Sequence, residues 1–88
     1  MKKVLVLGAS PNPARYSYLA VRQLKAHGHD VVAVGLHEGE IDGLPILHGK
    51  PALENIDTVT LYMNPTNQQP YHDYILELKP KRIILELF

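Results

Sequence analysis

Val4-Leu5-Val6-Leu7-Gly8-Ala9-Ser10-Pro11-Asn12-Pro13 sets four aliphatic residues against a glycine and then a loop with two prolines. Unbroken apolar character over four residues suits a strand buried on both faces, as in a parallel sheet. Gly8 ends it, and the two prolines keep the next residues out of any regular repeat.

Working outward from this stretch, a helical pattern comes next. Ser17, Ala20, Val21 and Leu24 fall at i, i+3, i+4 and i+7 and so line one face. Gly28 is a natural stop, and the flanking His27 and His29 suit the negative end of the helix. Val31-Val32-Ala33-Val34 is a second buried strand, closed by Gly35. Leu36 to Gly43 reads as a loop, and Leu44-Pro45-Ile46-Leu47 as a short extended piece whose proline confines it to a sheet edge or to no sheet at all. Pro51 to Asn55 is expected to form one helical turn, and Asp57 to Tyr62 a third clear strand.

Thr66 or Asn67 is expected to cap the following helix, since Thr66 and Gln69 have the capping-box spacing. Tyr71, Tyr74, Ile75 and Leu78 give that helix its apolar face, and Lys79-Pro80 ends it. Arg82 to Phe88 is a fourth strand. Strands alternating with helices predict an α/β fold, an open and mostly parallel sheet of the Rossmann type with flanking helices.

Composition narrows the function. At 88 residues the chain is expected to be a single domain spanning residues 1–88. Nine basic side chains balance nine acidic ones, which argues against a nucleic-acid partner. The absence of cysteine removes disulfides, thiolate metal sites and a Cys nucleophile. The longest apolar run falls far short of the roughly 18 residues of a membrane span. No apolar leader follows Lys2 and Lys3, so a cytoplasmic location is expected.

In an open parallel sheet, ligands bind beyond the carboxyl ends of the strands, where strand order reverses. Three loops belong to that rim: Gly8 to Arg15, Gly35 to Glu40 and Met63 to Asn67. In the first, Ser10, Asn12 and Ser17 offer side-chain hydrogen bonds. Arg15 adds a cation at a helix start that already favours phosphate. The Gly-x-Gly-x-x-Gly pattern fails, with Ser10 and Pro13 at its second and third positions. Gly35, Leu36 and His37 stand where an acid would hold a ribose hydroxyl, so NAD is disfavoured while NADP stays open.

Gly8-Ala9-Ser10-Pro11-Asn12-Pro13, then Arg15, Ser17, Tyr18 and His27-Gly28-His29, resemble the small CoA-binding-domain proteins. These are related to the CoA-binding domain of the succinyl-CoA synthetase alpha subunit. Gly43 to Ile46, Asp57 to Pro65 and Leu78 to Arg82 are similar as well, so the likeness runs from Val4 to about Leu85. It implies CoA or an acyl-CoA as ligand. Gly8, Ala9, Ser10, Pro11, Arg15 and Ser17 would lie at the pyrophosphate. Gly35, Leu36 and His37 would lie near the adenosine and its 3′-phosphate, with Tyr62, Met63, Asn64 and Pro65 as the wall beside the ligand.

Two departures stand out. The family has Asn-Pro or a similar pair after the second strand, often beside a basic residue, where this chain is acidic from Glu38 to Glu40. The family also continues past the fourth strand with a turn, a helix and a last strand. The expectation is a shortened domain whose fourth strand forms an exposed apolar edge that self-associates. The five histidines lack metal-ligand spacing, and no metal site is expected. Tyr71-His72-Asp73-Tyr74 splits between core and solvent, as helical neighbours do. The Gly-x-Ser-x-Gly elbow is missing, and no nucleophile–base pair is visible. A binding protein without catalysis is therefore expected. The alternatives are a small NADP-dependent oxidoreductase, a ligase fragment, or a shortened fold that binds nothing.

Overall fold

The computed structural model describes residues 2–85. Its elements are β1 (Lys3–Leu7), α1 (Tyr16–Ala26), β2 (Asp30–Val34), β3 (Glu40–Ile41), β4 (Leu44–Leu47) and β5 (Thr58–Leu61). Then come α2 (Pro65–Gln68), a 3₁₀ turn (Gln69–Tyr71), α3 (His72–Leu78) and β6 (Arg82–Leu85). The six strands form one sheet in the order β3-β4-β2-β1-β5-β6. All pairings are parallel except β3 with β4. This is the α/β, Rossmann-like architecture expected from the sequence.

β1 lies inside the sheet, with Leu5 on Val32 of β2 and on Val59 of β5. Such a strand must be apolar on both faces, and Val4, Leu5, Val6 and Leu7 are all buried. Val4, Val6, Ala33 and Ile46 pack with Val21 of α1 on one face. Leu5, Leu7, Val34, Val59 and Leu61 pack with Tyr74 and Ile75 of α3 on the other. The helical face predicted for α1 holds, with Ser17 and Val21 buried.

Several expectations need correction. The segment 36–43 is more than a loop, because Glu40 and Ile41 pair antiparallel with β4. β4 is therefore not the edge, since it also pairs with β2. Pro45 is tolerated there because the pairing with β2 begins only at Ile46, one residue further on. Residues 51–55 form no helical turn. The second helical region is interrupted: Pro70, which has no N–H, sits in the 3₁₀ turn between α2 and α3. Its cap is Asn64 rather than Thr66 or Asn67, and Asn64 Oδ1 accepts Asn67 N–H at 2.8 Å. Residues 86–88 of the predicted fourth strand lie outside the described residues. Among the described residues no helix is long and apolar enough to cross a membrane.

Candidate functional site

From β1 the chain steps outward to β2 and β4, then returns to β5 and β6 on the other side. Order therefore reverses between β1 and β5, and a crevice opens where their loops part. A cleft of about 700 Å³ lies at that point, walled by the first loop, by Leu36 and His37, and by Tyr62, Met63 and Asn64. Its volume is within the roughly 300–1,000 Å³ of small-molecule sites. The structure thus brings together the three rim loops marked by the sequence.

Backbone contacts hold the loop after β1 in place. Gly8 and Ala9 N–H both donate to Val34 C=O, at 2.8 and 3.0 Å. Gly8 has φ +92°, and a Cβ there would stand 2.9 Å from the carbonyl carbon of Tyr62. Glycine at this position permits both the turn and the close approach of the β5 loop. Ser10 Oγ accepts Asn12 N–H (3.1 Å), and Asn12 Oδ1 accepts Ala14 N–H (3.0 Å). These two side chains therefore set the loop's shape, as Ser and Asn do in turns. The Ser10 hydroxyl hydrogen and the Asn12 amide hydrogens remain to donate.

α1 begins at the cleft. Arg15 is its N-cap residue and makes no side-chain capping bond. Among the described residues Arg15 has no ion-pair partner, whereas Arg22 is held by Asp42 at 2.9 Å. No Asp or Glu lines the cleft. A helix start, an arginine and an acid-free wall together favour an anionic ligand. The acidic run from Glu38 to Glu40 contributes nothing to the lining, because Glu40 is drawn into β3.

The β5 loop is fixed from below. Buried Gln68 donates from Nε2 to Met63 C=O at 2.7 Å. Met63 faces the α3 core, and Tyr62 borders the α1 side of the sheet. Asn64 divides its amide between the α2 cap and the cleft wall.

Of the residues marked in the sequence, Gly35 and Pro65 alone are absent from the lining. Gly35 is packed beneath the first loop, where a Cβ would come within 2.0 Å of Ala9 O. Its carbonyl also meets His48 Nδ1 at 2.9 Å. Pro65 is the first residue of α2 and starts that helix rather than facing the cleft. Ser17 borders the cleft but is 3% exposed. Ala14 and Asn67 line the cleft within the rim loops without having been singled out, Tyr16 lines it beside the first loop, and Asn12 was read only as a hydrogen-bonding loop residue. Tyr16 and Asn67 each stand at the start of a helix beside a rim loop, which is the signal available in the sequence.

Fold and cleft define a Rossmann-like α/β domain with an open cleft at its strand-order switch. The model of the CoA binding domain matches residues 2–87, and the chain belongs to that family. An uncharacterised protein of known crystal structure is 53% identical, with a TM-score of 0.90 over 94% of this chain and 69% of its own. The PH1109 protein redesigned for binding is 26% identical, with a TM-score of 0.82 over 96% of this chain and 60% of its own. A conserved hypothetical protein from Pyrococcus furiosus shares the fold at 23% identity, with a TM-score of 0.82 over 98% of this chain and 75% of its own. No curated protein matches the chain.

Proposed function

We propose that this protein binds CoA or an acyl-CoA in the cleft between the β1, β2 and β5 loops, without catalysing a reaction of its own. The pyrophosphate would sit on the first loop and the start of α1, with Arg15 as its cation. The adenosine end would lie toward Leu36 and His37, and the pantetheine arm would leave past Tyr62, Met63 and Asn64. The observation that carries this reading is the acid-free cleft with Arg15 at its helix start. Family membership gives the ligand class.

Calorimetry with CoA, dephospho-CoA, NADH and NADPH tests it. CoA should bind, and Arg15→Ala should weaken it by about 1–3 kcal/mol, as the loss of a charged hydrogen bond does. Binding of a dinucleotide with none of CoA would overturn the proposal. An unchanged CoA affinity in Arg15→Ala would remove Arg15 from the site.

A further inference from the structure

Leu36 and His37 line the cleft but belong to no strand or helix. They are held by the strand beside them. Gly35 N–H donates to Leu47 C=O (2.9 Å), and Gly39 C=O accepts Ile46 N–H (2.9 Å). Residues 36–38 thus form an arch whose two feet are both fastened to β4. Gly39 also rests against the first loop, where a Cβ on it would stand 2.7 Å from the Cβ of Pro11.

A side chain adds a further fastening at the first foot. His48 follows β4 directly, and its Nδ1 meets the Gly35 carbonyl at 2.9 Å. A carbonyl oxygen only accepts, so Nδ1 carries the proton and donates. His48 itself stands outside the cleft lining.

The bond reaches the cleft through a peptide plane. The peptide between Gly35 and Leu36 is trans, so its C=O and the Leu36 N–H point in opposite directions. β4 and β1 flank β2 on opposite sides. With the Gly35 carbonyl turned toward β4, Leu36 N–H is turned toward β1 and the loop after it, where the cleft opens. Among the described residues this N–H has no hydrogen-bond partner. Glycine restrains its own carbonyl less than any other residue, so an outside contact is needed to fix this plane.

We propose that His48 is a positioning residue for the adenosine end of the ligand. Its Nδ1–H holds the Gly35 carbonyl toward β4 and so presents Leu36 N–H to the cleft as a donor to a ligand oxygen. This rests on the CoA reading and adds to it a residue that touches no ligand.

Calorimetry with CoA on the parent chain, His48→Phe and His48→Asn tests it, together with NMR of the same three proteins. Phenylalanine keeps the bulk of the ring and loses the donor, whereas asparagine places an amide nitrogen close to where Nδ1 stands. His48→Phe should weaken CoA about tenfold, the order of one hydrogen bond, and His48→Asn should recover most of that affinity. Circular dichroism should show all three folded. Nitrogen NMR of the unliganded parent should find neutral His48 protonated at Nδ1. The Leu36 amide signal should move on CoA binding in the parent and in His48→Asn, and much less in His48→Phe. Unchanged CoA affinity in a folded His48→Phe would overturn the proposal and leave the CoA reading standing. So would a loss that His48→Asn fails to recover, neutral His48 protonated at Nε2, or a Leu36 amide unmoved by bound CoA. No CoA binding by the parent chain would overturn the CoA reading, and the ligand role of His48 with it.

Discussion

Gly35 bears most sharply on how the site is built. Its missing side chain leaves room for the Ala9 carbonyl of the loop that forms the cleft. Backbone cannot swing aside as a flexible side chain can, so Gly35→Ala must displace either the first loop or the end of β2. We expect a loss of about 3 kcal/mol, at the upper end for overpacking, read as a shift of the urea midpoint. A variant as stable as the parent would show that the loop yields freely.

A second residue-level effect concerns charge. Asp57 accepts a hydrogen bond from the Thr58 hydroxyl at 2.7 Å. That bond is the main cause holding its carboxyl below the usual range, opposed by partial desolvation and helped by Lys2, Lys81 and Arg82. Lys81 and Arg82, just past the end of α3, thus take part in the electrostatics around this carboxylate. A carboxyl lowered by folding adds stability above its unfolded pKa, and that stability is lost as pH falls through the folded value. Thr58→Val should move the Asp57 pKa upward in an NMR titration and shift the acid unfolding transition toward higher pH. A titration identical to the parent's would assign the shift to the cations instead.

At the scale of elements, α2 depends on its cap. It has four residues, begins with Pro65 and carries the Asn64 side-chain bond that replaces an intrahelical one. A helix this short has little stability of its own. Asn64→Ala should cost about 1 kcal/mol in urea denaturation, as N-cap losses do. Asn64→Asp, which keeps the acceptor, should cost less. Equal losses in the two variants would show that the amide's other contacts matter more.

The same elements show what the sequence made legible. Unbroken apolar runs announced β1 and β2, because strands buried between neighbours need apolar residues on both faces, while β5 and β6 were marked by residues that favour strands, Thr58 to Leu61 and Ile83 to Leu85. The faces of α1 and α3 followed from side chains three and four residues apart. β3 was missed because a two-residue strand has no period to detect, and it forms only when Ile41 is buried against the sheet. The split of the second helical region depended on Pro70 falling between two stretches that each looked helical. The rim was legible because fold class fixes where loops gather. The roles within it were less so, since Ser10 and Asn12 look the same in sequence whether they bind a ligand or brace a loop.

At the scale of the whole molecule, fold and site come from a single arrangement. The chain reverses its course across the sheet between β1 and β5, and this parts their loops. α1 then starts where the loops part, directing its positive end and Arg15 to the opening. The chain of 88 residues spans from 60% to 75% of the related structures compared above. The central claim is that this rim is where CoA binds. Amide chemical-shift mapping during a CoA titration tests it most directly. The account predicts shifts concentrated at Ser10, Arg15 to Ser17, Leu36, His37 and Tyr62 to Asn64, with the α3 face unmoved. Shifts centred on α3 or on β6, or none at saturating CoA, would contradict it.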